Sequence, residues 1–260
     1  GQGYEELYIT VPQTGYAEQD PMMWWKACKS AVKQAVQKSG AGSRVAAIGF
    51  SGQMQGTVFL DAHNQLIRNC IIWMDQRAVE EVKDIEQRLV EQKVDALAIT
   101  ANNCLNTFWA PKILWMQKHE PENYEKINKV IFPKDYLAYR MTGEIATEVS
   151  DCSLTFSLDV PGRKWSEKMF QALGIPQSFV PKRLLESCEI TGNLLRSVAE
   201  EVGLTPGIPV IAGGGDQTAN GIGTGIIEET VLGASIGTSA GVFGCGRKPF
   251  VDYQKKAIQS

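Results

Sequence analysis

The sequence is poor in histidine and has no closely spaced pair of cysteines. Its 260 residues include two histidines, His63 and His119, and six scattered cysteines without a Cys-x-x-Cys pair. Structural zinc sites use closely spaced Cys and His ligands, and a cysteine nucleophile needs a histidine partner. The sequence therefore argues against a metal site of its own and against Cys-His catalysis. It indicates reduced, partly buried thiols instead.

Long apolar runs and blocks of positive charge are also missing. No stretch approaches the roughly 18 apolar residues that a membrane helix needs, and no signal peptide is visible at the start. The net charge is -3 at pH 7, with no cluster of Lys and Arg. That balance argues against nucleic acid or an anionic membrane as the main partner. The sequence predicts a cytoplasmic protein with small-molecule partners.

Segments typical of strands and of helices alternate along the chain. Predicted strands lie at 45–50, 57–60, 71–73, 130–132 and 207–212. Predicted helices lie at 21–38, 79–94, 112–119 and 133–142. Asp20 and Pro21 supply an N-cap and a first-turn proline for the first of these helices. This alternation predicts an α/β fold with a mixed sheet.

The most informative stretch is Gly213-Gly-Gly-Asp216, which follows an apolar strand. Glycines let the backbone approach a ligand closely, and the aspartate supplies a base. Open α/β sheets bind ligands at the carboxyl ends of their strands. The alternative is that Asp216 only caps a helix that begins at Gln217, and the two roles are compatible.

A second turn of similar character follows about twenty residues later. Gly237-Thr-Ser239 interrupts a strand with small and hydroxyl-bearing residues, which suit phosphate oxygens. The same three residues also fit a simple turn between two strands. Together with the Asp216 motif, this turn suggests phosphoryl transfer.

Two further segments carry polar side chains that a ligand could use. Ser51-Gly-Gln-Met-Gln-Gly56 offers amides that both donate and accept hydrogen bonds, which suits a hydroxyl-rich ligand. A tight hairpin connection would look similar, with Met54 as core filler. Asp75 and Arg77 follow the strand at 71–73. They are equally consistent with a surface ion pair of little energetic value.

Read together, these segments resemble the FGGY carbohydrate kinases, and within that family the enzymes that phosphorylate D-xylulose. The matching segments run in order over nearly the whole chain: Glu18-Gln-Asp-Pro21 with Trp24-Trp25, Ser51-Gly-Gln-Met54, Ile72-Trp73 with Asp75 and Arg77, Ala110-Pro-Lys with Leu114-Trp115, Pro133-Lys-Asp-Tyr136 with Met141-Thr-Gly143, Gly213-Gly-Gly-Asp216 and Gly237-Thr-Ser239. The resemblance implies a ribonuclease H-like (actin-like ATPase) domain, a mixed sheet flanked by helices. It also implies that 1–246 form the family's N-terminal domain without its first strand pair, and that 247–260 begin a linker to an absent C-terminal nucleotide-binding domain.

The resemblance also implies roles for individual residues. Asp216 matches the catalytic base that takes a proton from the attacking sugar hydroxyl. The matching substrate-binding residues are Met54, Gln55, Asp75 and Gln217, and the residues that approach the nucleotide phosphates are Gly237 and Thr238. ATP is the expected phosphoryl donor, and Mg2+ is expected to arrive with it.

The implied reaction is ATP-dependent phosphorylation of D-xylulose to D-xylulose 5-phosphate. Xylulose kinases usually have His where this chain has Gln55, and often Asn where it has Gln217. A single changed hydrogen-bond partner can alter sugar choice, so another pentulose, a polyol or a hexose derivative stays open as substrate. A non-catalytic sugar-binding or regulatory domain and an actin-like structural protein are the rival functions. The chain alone is expected to be inactive, and a homodimer stays open.

Overall fold

The computed structural model describes residues 1–236 and 240–253. Its helices are α1 (Pro21–Ser39), α2 (Val79–Glu91), α3 (Ala96–Thr100), α4 (Trp109–His119), α5 (Pro121–Tyr124), α6 (Pro133–Thr142), α7 (Val149–Cys152), α8 (Glu167–Leu173), α9 (Arg196–Val202) and α10 (Asp216–Gly223). Its strands are β1 (Glu18–Gln19), β2 (Ser51–Gly52), β3 (Val58–Leu60), β4 (Cys70–Ile71), β5 (Lys129–Ile131), β6 (Thr147–Glu148), β7 (Leu158–Asp159), β8 (Lys164–Trp165), β9 (Leu184–Leu185), β10 (Ile190–Asn193), β11 (Pro209–Ile211), β12 (Gly214–Gly215), β13 (Leu232–Ile236) and β14 (Ala240–Gly244). The predicted alternation of helices and strands is confirmed.

Helix ends follow the signals in the sequence. The Asp20 carboxylate accepts a hydrogen bond of 2.8 Å from the Met22 N–H, and Pro21 opens α1. Gly40 ends the helix in the left-handed region at φ 61°, a conformation that costs glycine little. Gly143 ends α6 in the same way, at φ 79°. Across 1–236 and 240–253, no helix combines the length and the apolar content needed to cross a membrane.

The sheet is mixed, as predicted, but its strands are short. β1 with β4, β3 with β5 and β10 with β11 pair antiparallel, whereas β2 with β12 and β6 with β9 pair parallel. A bridge between Thr57 and Ile71 joins the first two of these pairs.

The predicted strand at 45–50 is wrong, because only Ile48 in that range bridges to a neighbour, Val210. Ala46, Ala47 and Gly49 are exposed there, with no second partner strand among the described residues.

The core lies around α4, which is buried along most of its length. Trp109 is 1% exposed and stacks on Phe132 at a centroid distance of 5.5 Å. A second apolar cluster includes Trp24 and Trp25 of α1 and packs against β3. Burying a large aromatic side chain stabilises the fold by about 1.5–3 kcal/mol. These clusters fix the strand ends that carry the polar residues of the site.

Candidate active site

The two glycine-rich motifs lie side by side. β2 and β12 pair in parallel, with Gly214 opposite Ser51 and Gly215 opposite Gly52. Met54 packs directly on this pair, since a Cβ atom placed on Gly215 would lie 2.6 Å from its Cγ atom. No larger residue than glycine fits at position 215 without moving Met54. The loop at 51–56, called the Gly-Gln-Met loop below, therefore packs against the turn that precedes Asp216.

Asp216 is the first residue of α10, and Gly215 occupies the N-cap position. The alternative that Asp216 is the cap of a helix beginning at Gln217 is therefore wrong, although its Oδ1 atom accepts a hydrogen bond of 2.8 Å from the Gln217 N–H. The side chain is exposed. Partial burial raises the pKa of Asp216 above its ordinary value, although backbone N–H groups act in the opposite direction. An accessible carboxylate with a raised pKa is suited to accept a proton.

A buried lysine, Lys112, hydrogen-bonds to the Gly-Gln-Met loop. The Nζ atom of Lys112, in α4, donates to the carbonyl oxygens of Gln55 at 2.7 Å, Ile71 at 3.2 Å and Ile72 at 3.1 Å. Gln55 has a left-handed backbone at φ 65°, which is unfavourable for a residue with a side chain. Burial lowers the pKa of the Lys112 ammonium to about 7. Lys112 thus ties this loop to the end of β4. The sequence offered only the Ala110-Pro-Lys match as a signal for it.

The variant Lys112→Met should destabilise the chain. Methionine keeps the length of the side chain but removes one donor from each of three carbonyl groups, which keep their bonds from Thr57 and Asp75. The loss should cost about 1–3 kcal/mol in the free energy of unfolding. Urea unfolding followed by circular dichroism measures this loss. Lys83→Met is the matched control, because Lys83 is on the exposed face of α2. It should change stability by less than about 0.5 kcal/mol, and equal losses in the two variants would contradict the anchoring role.

The two predicted substrate amides differ from Met54 in their accessibility. Met54 is 9% exposed and belongs to the larger apolar cluster, as the core-filler alternative requires. Gln217 is exposed and Gln55 is half-buried. Within residues 1–236 and 240–253, neither side-chain amide has a hydrogen-bond partner. Among the described residues nothing competes with a hydroxyl group for either amide, and all three substrate assignments stay predictions.

Asp75 and Arg77 form a buried ion pair rather than a surface one. Asp75 is 1% exposed, and its oxygens accept hydrogen bonds from the Ala17 N–H at 2.6 Å and from Arg77 at 2.8 and 2.9 Å. The guanidinium of Arg77 also contacts Glu18 at 2.7 Å and lies over the Tyr16 ring at 3.9 Å. Protein groups occupy both carboxylate oxygens. The prediction that Asp75 binds substrate stays a prediction, and this geometry does not support it.

The residues assigned to the nucleotide, Gly237 and Thr238, lie outside the described residues. In the described ranges, no group of three or more His, Cys, Asp or Glu side chains could hold a metal ion. Asp216 offers a single exposed carboxylate, which does not form a magnesium cage. The described residues therefore do not fit a resident magnesium ion.

A groove of about 430 Å³ lies beside β2, and Asp216 is not among the residues that line it. Its lining is mainly apolar, with Leu7, Trp24, Phe50 and Leu137, but it also includes Ser51 and Gln53. The sugar implied by the resemblance needs several hydrogen-bonding groups, which a mainly apolar lining supplies poorly. We therefore place the candidate site at Asp216, where polar side chains are accessible.

Comparison with known proteins finds relatives over nearly the whole chain. A xylulose kinase of Escherichia coli (strain K12) is 40% identical over 256 residues, which cover 98% of this chain and 51% of that protein. A solved structure of a xyloylose kinase from Brucella ovis has 34% identity and a TM-score of 0.86, covering 93% of this chain and 49% of that one. A Plasmodium falciparum glycerol kinase solved with ADP shares the fold at 22% identity, with a TM-score of 0.82 and coverage of 92% and 48%. The chain spans about half the length of these relatives.

The fold and its similarity to these structures define an α/β domain of the actin-like ATPase class, which confirms the predicted fold. Residues 1–223 match the N-terminal domain of the FGGY family of carbohydrate kinases. The chain belongs to that family.

Proposed function

We propose that this chain is the sugar-binding half of an ATP-dependent carbohydrate kinase, with D-xylulose as the substrate. The observation that carries the proposal is the exposed Asp216 carboxylate at the start of α10, beside the Gly-Gln-Met loop. Support for the sugar comes from relatives named xylulose kinases, among them the protein of Escherichia coli at 40% identity. The boundary assignments of 1–246 and 247–260 belong to the same proposal.

Asp216 is the general base in this proposal. It accepts the proton of the sugar hydroxyl as that oxygen attacks the terminal phosphorus of ATP. A positioned base of this kind contributes a rate factor of roughly 10²–10⁴. The amides of Gln55 and Gln217 bind the other hydroxyl groups and hold the sugar in one orientation, which contributes through positioning.

The resemblance to the family assigns the terminal phosphates of the nucleotide to Gly237 and Thr238. ATP supplies the phosphoryl group, and a magnesium ion bound to the nucleotide would neutralise part of its charge. No step of the proposal requires a magnesium ligand from this chain.

The variant Gln55→Ala tests the sugar site. Titration calorimetry of the chain with D-xylulose, D-ribulose, xylitol and glycerol should give the highest affinity for D-xylulose. Gln55→Ala should weaken that affinity about 3- to 10-fold, which corresponds to the loss of one hydrogen bond. The matched control is Gln65→Ala, a glutamine of the exposed turn after β3, which should leave affinity unchanged.

Two outcomes, one from this titration and one from an assay of phosphorylation, would contradict the proposal. Equal affinity for all four ligands would remove D-xylulose as the preferred sugar. Sugar binding in the full product of the gene, without any ATP-dependent phosphorylation, would favour the non-catalytic sugar-binding domain. A coupled assay of ADP release on that full product separates these results.

A further inference from the structure

A buried carboxylate, Glu148, lies directly behind the turn that carries Asp216. Glu148 is the last residue of β6, and its side chain is completely buried. Its Oε1 atom accepts a hydrogen bond of 2.8 Å from the Ser150 hydroxyl, and its Oε2 atom accepts one of 3.2 Å from the Ser187 hydroxyl. One carboxylate thus orients two serines from different segments of the chain.

Both serines bind the glycine turn. The Gly215 N–H donates to the Ser150 Oγ atom at 3.3 Å, and the Gly213 N–H donates to the Ser187 carbonyl oxygen at 2.9 Å. A Cβ atom placed on Gly214 would lie 3.4 Å from the Ser150 Oγ atom, so the hydroxyl packs against the turn itself. Both ends of the turn are therefore bonded to residues whose hydroxyl groups donate to Glu148, through the side chain of Ser150 and through the backbone of Ser187.

Lys134 lies among three buried carboxylates, Glu148 included, and supports the partner strand. Its Nζ atom lies 3.3 Å from the Glu148 Oε1 atom, 2.6 Å from Asp135 and 3.5 Å from Asp151. A Cβ atom on Gly52 would lie 2.9 Å from the Cβ atom of Lys134, so the lysine packs under β2. The charged cluster thus supports both β2 and β12.

We propose that Glu148 is a positioning residue for Asp216, acting through Ser150 and Ser187 on the turn at 213–215. This inference rests on the proposed function, because it assigns Glu148 a role in placing the base. Asp216 directly follows Gly215, so a shift of the turn moves its carboxylate. A misplacement of about 1 Å at a reacting group can lower a rate about 100-fold.

The variant Glu148→Gln tests the proposal in the full product of the gene. The amide has the shape of the acid, but only one of its two polar atoms can accept a hydrogen bond. One serine hydroxyl therefore loses its acceptor, and so does one of the two backbone N–H groups, Ser150 or Asp151, that Glu148 caps at the start of α7. Turnover with sugar and ATP should fall about 10- to 100-fold, with the sugar KM changed less than about threefold. Glu186→Gln, at an exposed glutamate close to Ser187, is the matched control and should leave turnover unchanged. A folded Glu148→Gln protein with normal turnover would overturn the proposal.

The route through Ser150 has its own test. Ser150→Ala removes the link between Glu148 and Gly215 and should lower turnover without a comparable rise in the sugar KM. Ser150→Ala also tests the proposal if the Glu148→Gln protein does not fold. The double variant should lose no more turnover than the worse single variant, because the two residues act as one unit. Losses that multiply would overturn the proposed route.

Amide hydrogen exchange separates the positioning role from the proposed function. In the 260-residue chain, Glu148→Gln should speed exchange at the Gly213 and Gly215 amides relative to the wild-type chain. Faster exchange in a protein that lacks phosphotransfer would reject the kinase proposal and retain the role of Glu148 in holding the turn. Unchanged exchange would reject that role, whatever the activity.

Discussion

Asp216→Asn should lower the turnover of the full gene product about 10²–10⁴-fold and leave sugar affinity within about threefold. The amide has nearly the same shape as the carboxylate and can still bind a hydroxyl, but it cannot accept the proton that the attacking oxygen loses. A loss in turnover without a loss in binding is the result expected of a group that acts in the transition state. A steady-state assay and calorimetry with D-xylulose measure the two effects separately.

The pH dependence of the same reaction gives a second, independent measurement. The base must be ionised to act, and partial burial raises the pKa of Asp216, so activity should fall on acidification from above the ordinary aspartate value of about 3.9. This acidic limb should disappear in Asp216→Asn. Asp84→Asn is the matched control, since Asp84 lies half exposed on α2 and should keep both the rate and the limb. Normal turnover in Asp216→Asn would reject its assignment as the base.

Gly213→Ala should strongly destabilise the chain. Gly213 has a left-handed backbone at φ 73°, which costs an alanine about 1–2 kcal/mol. A Cβ atom there would also lie 2.0 Å from the carbonyl oxygen of Phe50, an overlap that backbone atoms must relieve by moving. Overlap of this kind adds about 1–3 kcal/mol. The total loss in the free energy of unfolding should therefore be about 2–5 kcal/mol, as measured by urea unfolding.

Gly207 allows the two causes of this loss to be separated. It has a comparable left-handed backbone at φ 82°, but a Cβ atom there would meet nothing within 4 Å. Gly207→Ala should therefore show only the conformational cost, about 1–2 kcal/mol. If the two alanine variants lost equal stability, the close approach of Gly213 to Phe50 would contribute nothing to the loss in the free energy of unfolding.

The local features of this fold could be predicted because their chemistry lies within a few residues. The cap at Asp20, the proline at position 21 and the glycine at position 143 set helix ends by local hydrogen bonds and backbone preferences, and all three are confirmed. The Asp216 motif is also a short pattern, glycines and an acid at a strand end, and its catalytic role stays a prediction. The predicted strand at 45–50 failed because apolar composition does not supply neighbouring strands.

The supporting groups of the site could not be predicted because their partners are distant in sequence. Asp75 and Arg77 fit a surface pair by spacing, and only the fold places Tyr16 and Glu18 around them. Lys112 and Glu148 are charged residues that sequence patterns assign to a solvated surface. Each is buried because several polar groups from separate segments satisfy it. Their supporting role can therefore be recognised only in the folded structure, where those segments lie close together.

The pairing of β2 with β12 makes binding at the proposed sugar site a measure of the folding of the chain. Ser51–Gly52 and Gly214–Gly215 are far apart in the sequence, so the proposed site forms only after the elements between them have folded. A ligand that binds only this assembled state stabilises it by mass action, in proportion to the logarithm of its concentration. A sugar that fits should therefore raise the melting temperature of the entire domain, and a partly unfolded chain should show no affinity for it at all.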